Sequence, residues 1–382
     1  MRAFCGAAAA LLAQRLCAPT PCGFARPPAP RRYADDSFGH IDELLGFGYE
    51  KAYNGFMDTD WLGALAPSLP VMVSPGNHES CVLATFCYIF AATPPLPTPP
   101  PLAAARSECH DPYCVLNEAV GQQLRNFSAY NARWAMPSVE SGGVLNMWYS
   151  WQHGRVHFVS INTETDFPGA PEENAGDSHF PWLPAGHFAP DGAYLAWLEK
   201  DLAAAAAARA AGTVDFVVAG GHRPTEDFSS AAVIALFKKY AVDAYFFGHG
   251  HSYARYDAAA YGDGTVHVMV GGAGCEEMPY PSDQVAAADA PGYDAAAACA
   301  QWCNDAGVRK SFPSAQDPCR YCAAAPVYVS DQYAIGKLTI DAAGDLSWQL
   351  LLGPSGRVLD GFNITKAAAA SRAAAAAKAL AA

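Results

Sequence analysis

The chain has 382 residues, of which 33 are Gly, 29 Pro and 12 Cys, with 51% hydrophobic and 16% charged. That balance fits a globular protein and excludes a coiled coil, collagen or wholesale disorder. Lys and Arg number 24 against 37 Asp and Glu, a net charge of −13, so the overall field repels phosphate backbones and anionic membranes, and neither nucleic acid nor membrane is an expected partner.

No apolar run approaches the roughly 20 residues needed to cross a bilayer. Arg2, the small apolar residues Phe4 to Ala13 and Ala18 behind them have the shape of a secretory leader. The sequons Asn126-Phe127-Ser128 and Asn363-Ile364-Thr365 and the cysteine count point the same way, to a glycoprotein that is secreted, extracellular or vacuolar. Without Cys5 and Cys17 an even number of cysteines remains. Cys299, Cys303, Cys319 and Cys322 read either as disulfide partners or as a zinc knuckle, and a secreted chain favours disulfides.

Residues 19–32 are rich in Pro and Arg and read as a linker, and Thr93 to Leu102 as a Pro-rich surface insertion. Strand-like runs follow at Pro70 to Ser74, Val156 to Asn162, Val214 to Ala219, Val242 to Phe247, Val266 to Val270, Tyr333 to Ile340 and Leu346 to Leu352. Helical patterning separates several of them. In Gly192 to Arg209, Leu195, Leu198 and Leu202 share a face and Asp191 is the expected cap; Ser230 to Tyr240 is a second helix. This alternation predicts an α/β core with its chemistry in the loops at the carboxyl ends of strands. The tail from Lys366 to Ala382 is nearly pure Ala and carries no assigned role.

Three such loops carry metal-ligand chemistry: Pro75-Gly76-Asn77-His78-Glu79, Gly220-Gly221-His222-Arg223-Pro224 and Gly248-His249-Gly250-His251. In extended backbone residues i and i+2 face one side, so His249 and His251 are expected to project together, with Gly248 and Gly250 leaving space around them. Imidazoles with an amide oxygen suit Zn, Fe or Mn, and two such ions about 3.5–4 Å apart clamp both oxygens of a phosphoryl transfer.

These three motifs, in this order, resemble those of the purple acid phosphatases, which are calcineurin-like metallophosphoesterases. The resemblance runs from about Tyr33 to Leu352 and includes Trp148-Tyr149-Ser150-Trp151, Asn162-Thr163-Glu164-Thr165 and Gly271-Gly272-Ala273-Gly274-Cys275. It implies a four-layer α/β/β/α sandwich, two facing mixed sheets flanked by helices. The phosphoesterase domain would occupy residues 33–260, the family's C-terminal segment 265–352 and an Ala-rich tail 366–382. It further implies that Asn77, His222 and His249 ligate a divalent ion (Zn, Fe or Mn), and that His251 and a Tyr33 tyrosinate ligate Fe(3+). His78 would bond the phosphate and protonate the leaving group, and Arg223 would add positive charge. The activity implied is hydrolysis of small phosphate monoesters at acid pH. The alternatives are a metallo-phosphodiesterase and a non-catalytic secreted glycoprotein on the same scaffold; the oligomeric state is left open.

One departure matters. The family's bridging Asp stands three residues before its Tyr, where this chain has Pro30 after Ala29, and no Asp occurs in residues 1–32. The domain is therefore expected to be incomplete at its N-terminus, with residues 1–32 a leader and linker or a misassigned start. Two close cations lacking that carboxylate repel each other, so weak metal binding and low turnover are expected.

Overall fold

A computed structural model of the chain describes residues 70–76, 126–171, 186–228, 231–250, 252–272, 287–304, 319–353 and 355–381. The leader, the linker, the Pro-rich insertion, Tyr33, Asn77, His78 and His251 lie outside them.

A central mixed sheet holds seven strands: β1 (Tyr149–His153), β2 (Val156–Ser160), β3 (Phe216–Gly220), β4 (Ala244–Phe247), β5 (Tyr253–Tyr256), β6 (Val266–Val270) and β7 (Tyr328–Ser330), in the order β1-β2-β3-β4-β6-β5-β7. Strands β2, β3, β4 and β6 run parallel, while β1, β5 and β7 pair antiparallel. The second sheet is an antiparallel meander of β8 (Ala334–Ile340), β9 (Leu346–Leu352) and β10 (Val358–Ile364). The expected α/β fold with two facing sheets is what forms. Strand β6 lies between β4 and β5 in the seven-stranded sheet.

Alternation along each strand sorts its side chains into two cores. Phe216, Val218, Ala244, Phe246 and Val268 face the second sheet, where they meet Leu346, Trp348 and Leu350. Val217, Ala219, Tyr245, Phe247 and Met269 face the helices, against Leu198, Leu202, Val233 and Phe237. Burial on both faces is why these strands read as nearly unbroken apolar runs.

The helices among the described residues are α1 (Ser128–Arg133), α2 (Ser138–Ser141), α3 (Ala193–Ala210), α4 (Thr225–Phe228), α5 (Ala231–Tyr240), α6 (Ala295–Asn304), α7 (Cys319–Ala323) and α8 (Lys366–Ala381). In α3 the predicted leucine face is inward, joined by Tyr194 and Trp197. Its cap differs from expectation: Gly192, in left-handed backbone with φ 77°, begins the helix with no side-chain hydrogen bond. Asp191 points to solvent instead, beside His187.

The predicted strand Pro70 to Ser74 forms no ladder. The Val73 carbonyl accepts from the hydroxyls of Tyr149 (2.6 Å) and Tyr130 (3.3 Å), and Ser74 Oγ meets Ser160 Oγ at 2.8 Å. Tyrosine hydroxyls thus take the place of a ladder partner for that carbonyl and tie the segment to the end of β2. Cys299 and Cys322 form a disulfide that joins α6 to α7, so neither offers a thiolate to zinc; the side chains of Cys303 and Cys319 lie outside those described. Asn126 accepts the Gly186 N–H at 2.7 Å, whereas Asn363 is exposed on β10.

Candidate metal centre

The carboxyl ends of the parallel strands β2, β3 and β4 lie side by side, the position where open α/β sheets place their ligands. Backbone bonds carry the alignment past the strands. Ile161 N donates to Gly220 O at 2.8 Å, Gly221 N to Phe246 O at 3.0 Å, and Gly248 N to His222 O at 2.8 Å. The loops bearing Glu164, His222 and His249 are thereby brought together.

Two of the histidines meet. His222 Nε2 lies 3.1 Å from His249 Nδ1, the rings 5.0 Å apart and steeply inclined, and both residues are buried. Two imidazole nitrogens each about 2.0–2.1 Å from a common ion, at right-angle to tetrahedral geometry, are separated by roughly 3–3.4 Å. The observed spacing fits one divalent ion. Among the described residues no group of three or more His, Cys, Asp or Glu gathers at one point, and the remaining expected ligands, Tyr33, Asn77 and His251, lie outside them, as does His78.

The backbone at His249 is not the extended one that the i, i+2 reading assumed. Its φ is 63°, in the left-handed region, and the bonds Gly250 N to Gly248 O (2.7 Å) and Ser252 N to Gly250 O (2.8 Å) wind the loop into tight turns. Strand alternation ends at Phe247, so it cannot orient His249. Nor does Gly250 leave open space: a Cβ there would fall 2.4 Å from Met269 Sδ and 3.1 Å from the Tyr321 ring. The glycine permits close packing.

Arg223 is committed within the protein. Its Nε donates to Glu164 Oε2 at 2.8 Å, and both side chains are almost wholly buried. Its N–H donates to Thr163 Oγ1 at 3.1 Å, and its carbonyl accepts from Tyr245 Oη at 2.7 Å. Asn162 folds the loop that carries Glu164, accepting the N–H of Glu164 (2.9 Å) and of Thr165 (3.2 Å) on Oδ1. Sequence reasoning quoted Asn162-Thr163-Glu164-Thr165 without giving it a task. The available signal was a polar tetrad directly after an apolar strand, in register with the two histidine loops.

A second set of groups holds Thr225, two residues beyond Arg223. Thr225 Oγ1 lies 3.2 Å from His267 Nδ1, and His267 Nε2 lies 3.0 Å from Asp263 Oδ2. Burial pushes the Asp263 carboxyl upward, but the hydrogen bond and charge of His267 outweigh it and hold the group below the usual carboxylate range.

A model of the calcineurin-like phosphoesterase family matches residues 41–253, more than half of the chain. That span includes Asn77, His78, His222, Arg223, His249 and His251; Tyr33 precedes it. An acid phosphatase of Aspergillus ficuum is 32% identical over 234 residues, covering 51% of this chain and 35% of that protein. Acid phosphatase type 7 of Mus musculus is 27% identical over 294 residues, covering 66% and 52%. The structure of a purple acid phosphatase from yellow lupin (Lupinus luteus) seeds aligns with a TM-score of 0.45 and 15% identity, over 83% of this chain and 44% of that one. The chain thus spans about half the length, or less, of these relatives. It belongs to the calcineurin-like phosphoesterase family.

Proposed function

We propose that this chain hydrolyses small phosphate monoesters as an acid phosphatase with a dinuclear metal centre. The observation that carries the reading is the convergence of His222 Nε2 and His249 Nδ1 to 3.1 Å at the carboxyl ends of adjacent parallel strands. In this reading His222, His249 and Asn77 hold the divalent ion (Zn, Fe or Mn), and His251 and Tyr33 hold Fe(3+). When bound, such ions lower the pKa of water and offset charge on the phosphoryl oxygens.

The chain's own residues do the rest. Burial of His222 and His249 keeps bulk water from competing for their lone pairs. His78 bonds the phosphate and supplies the leaving group's proton. Arg223 is paired with Glu164, which offsets the positive charge that Arg223 was expected to add. With Pro30 three residues before Tyr33 instead of the family's bridging Asp, the ferric ion is the more weakly held. The Cys299–Cys322 disulfide supports a secreted or vacuolar protein, and among the described residues no helix is long and apolar enough to cross a membrane.

The test is to titrate the purified chain with Zn2+, Mn2+ and Fe3+ and to assay p-nitrophenyl phosphate at mildly acid pH. Weak binding of one divalent ion, still weaker binding of a second ion and slow hydrolysis lost in His222→Ala and His249→Ala are expected. Hydrolysis that survives both substitutions sinks the reading.

A further inference from the structure

The structure assigns to Glu164 the task of positioning His222, through the Glu164–Arg223 pair. The inference rests on the reading of His222 as a metal ligand.

Arg223 follows His222 in the chain, so whatever fixes residue 223 limits the directions in which the His222 ring can point. Residue 223 is held at three atoms by two elements. Thr163 Oγ1 takes its N–H at 3.1 Å, Tyr245 Oη donates to its carbonyl at 2.7 Å, and Glu164 Oε2 takes its Nε–H at 2.8 Å. Thr163 Oγ1 also donates to Glu164 Oε1 at 2.8 Å, linking two of the three holds into one network. On the other side of His222, its carbonyl accepts the Gly248 N–H at 2.8 Å, in the loop that carries His249. The histidine is therefore set between a charged anchor from the β2 loop and its own partner loop.

The energetics give this arrangement a purpose beyond packing. The Glu164 side chain is 0% exposed and that of Arg223 6%. A buried ion pair stabilises a fold little better than apolar residues of the same size, whereas its directional hydrogen bonds fix a geometry. Such a pair is suited to hold a neighbouring ligand in one orientation. It also cancels the Arg223 charge beside a histidine that is to accept a cation. Groups that orient metal ligands from behind in this way are typically worth about 10–100-fold in metal affinity.

The experiment compares Co2+ binding by the full chain, through its visible absorption, in wild type, Glu164→Gln, Tyr245→Phe and His222→Ala, with thermal melts run alongside. Glu164→Gln keeps the shape and removes the charge; Tyr245→Phe removes a single hydroxyl and serves if Glu164→Gln does not fold. The expected result is Co2+ binding weakened roughly tenfold or more in Glu164→Gln, with a shifted absorption band, and a smaller loss in the same direction in Tyr245→Phe. Adding Arg223→Gln to Glu164→Gln is expected to recover part of the affinity, because the uncompensated charge is gone. Affinity within twofold of wild type and an unchanged band in Glu164→Gln or, should it not fold, in Tyr245→Phe, even with a lower melting temperature, would mean a purely structural pair and overturn the inference. Wild type binding Co2+ no better than His222→Ala overturns the metal-site reading itself and the inference with it.

Discussion

Arg372 in the C-terminal helix donates to the carboxylate of Asp243, at the entry to β4, and that carboxylate is fully buried. Asp243 also accepts from Arg209 of α3 and from the Val217 N–H, while Arg372 reaches the Gly264 carbonyl at 2.7 Å. The alanine-rich tail is thus pinned to the central sheet through one buried carboxylate. Arg372→Ala removes one of the two guanidiniums and is expected to cost about 1–3 kcal/mol. Lys378→Ala, at an exposed position of the same helix, is the control and should cost almost nothing. Urea denaturation of both checks this; equal midpoints would show that the Arg372–Asp243 contact contributes nothing to the fold.

Where that helix begins, the pH dependence of stability has an identifiable source. The Asp215 carboxyl is held below its usual range chiefly by the hydrogen bond from Arg155, with Lys366 adding a second charge at 3.2 Å. A depressed folded-state pKa contributes stability above the unfolded value, near 3.9, that is lost as pH falls through the folded value. Asp215→Asn should therefore lower stability at pH 6 by about 1 kcal/mol or less, since Arg155 and Lys366 are half exposed. The gap between variant and wild type should narrow as pH falls below the unfolded value. A gap that stays constant as pH falls from 6 through the acid range, down to acid unfolding, refutes the assignment.

What the sequence disclosed follows the burial of each element. A strand covered on both faces, Phe216–Gly220, writes that burial into an unbroken apolar run, whereas Leu346–Leu352 buries every second residue and shows it by alternation; the loop behind the former was legible because Gly and His follow directly. Strand β10, Val-Leu-Asp-Gly-Phe-Asn-Ile, was not, because Asp, Gly and Asn are poor strand formers. Its Asp360 is placed by pairing with Arg255 in the other sheet, a contact between positions 105 residues apart. The direction of the His249 ring was misjudged for a related reason. A left-handed φ at a non-glycine residue is imposed by the surrounding loop, and no local periodicity announces it.

That inter-sheet pair is itself a prediction. Asp360 accepts from Arg255 Nε at 2.7 Å and Nη2 at 2.8 Å and from the Tyr253 hydroxyl at 2.8 Å, and Trp348 Nε1 donates to that hydroxyl at 3.3 Å. Asp360→Ala strands a mostly buried guanidinium and is expected to cost about 3–5 kcal/mol. Replacing Asp360 and Arg255 together by Leu and Met should recover much of this. A double variant as unstable as Asp360→Ala would show that the damage lies in packing and not in the unpaired charge.

The loop bearing His249 is held by contact between two backbones. A Cβ on Gly271 would lie 1.8 Å from the Gly250 carbonyl oxygen and 3.3 Å from that of Ser252. Neither atom can yield by a rotamer change, so Gly271→Ala must displace the turn from Gly248 to Ser252 or the end of β6. His249 rides on that turn, with its Nδ1 3.1 Å from His222 Nε2, and a shift of about 1 Å in such a constellation costs on the order of 100-fold in rate. Gly264→Ala, where a Cβ meets nothing within 4 Å but φ is +83°, separates the two effects: it should lower stability through backbone strain and leave metal affinity unchanged. Gly271→Ala should lower Zn2+ affinity to near that of His249→Ala while the chain stays folded by circular dichroism. Undiminished Zn2+ affinity in Gly271→Ala would mean that His249 does not depend on this contact for its position.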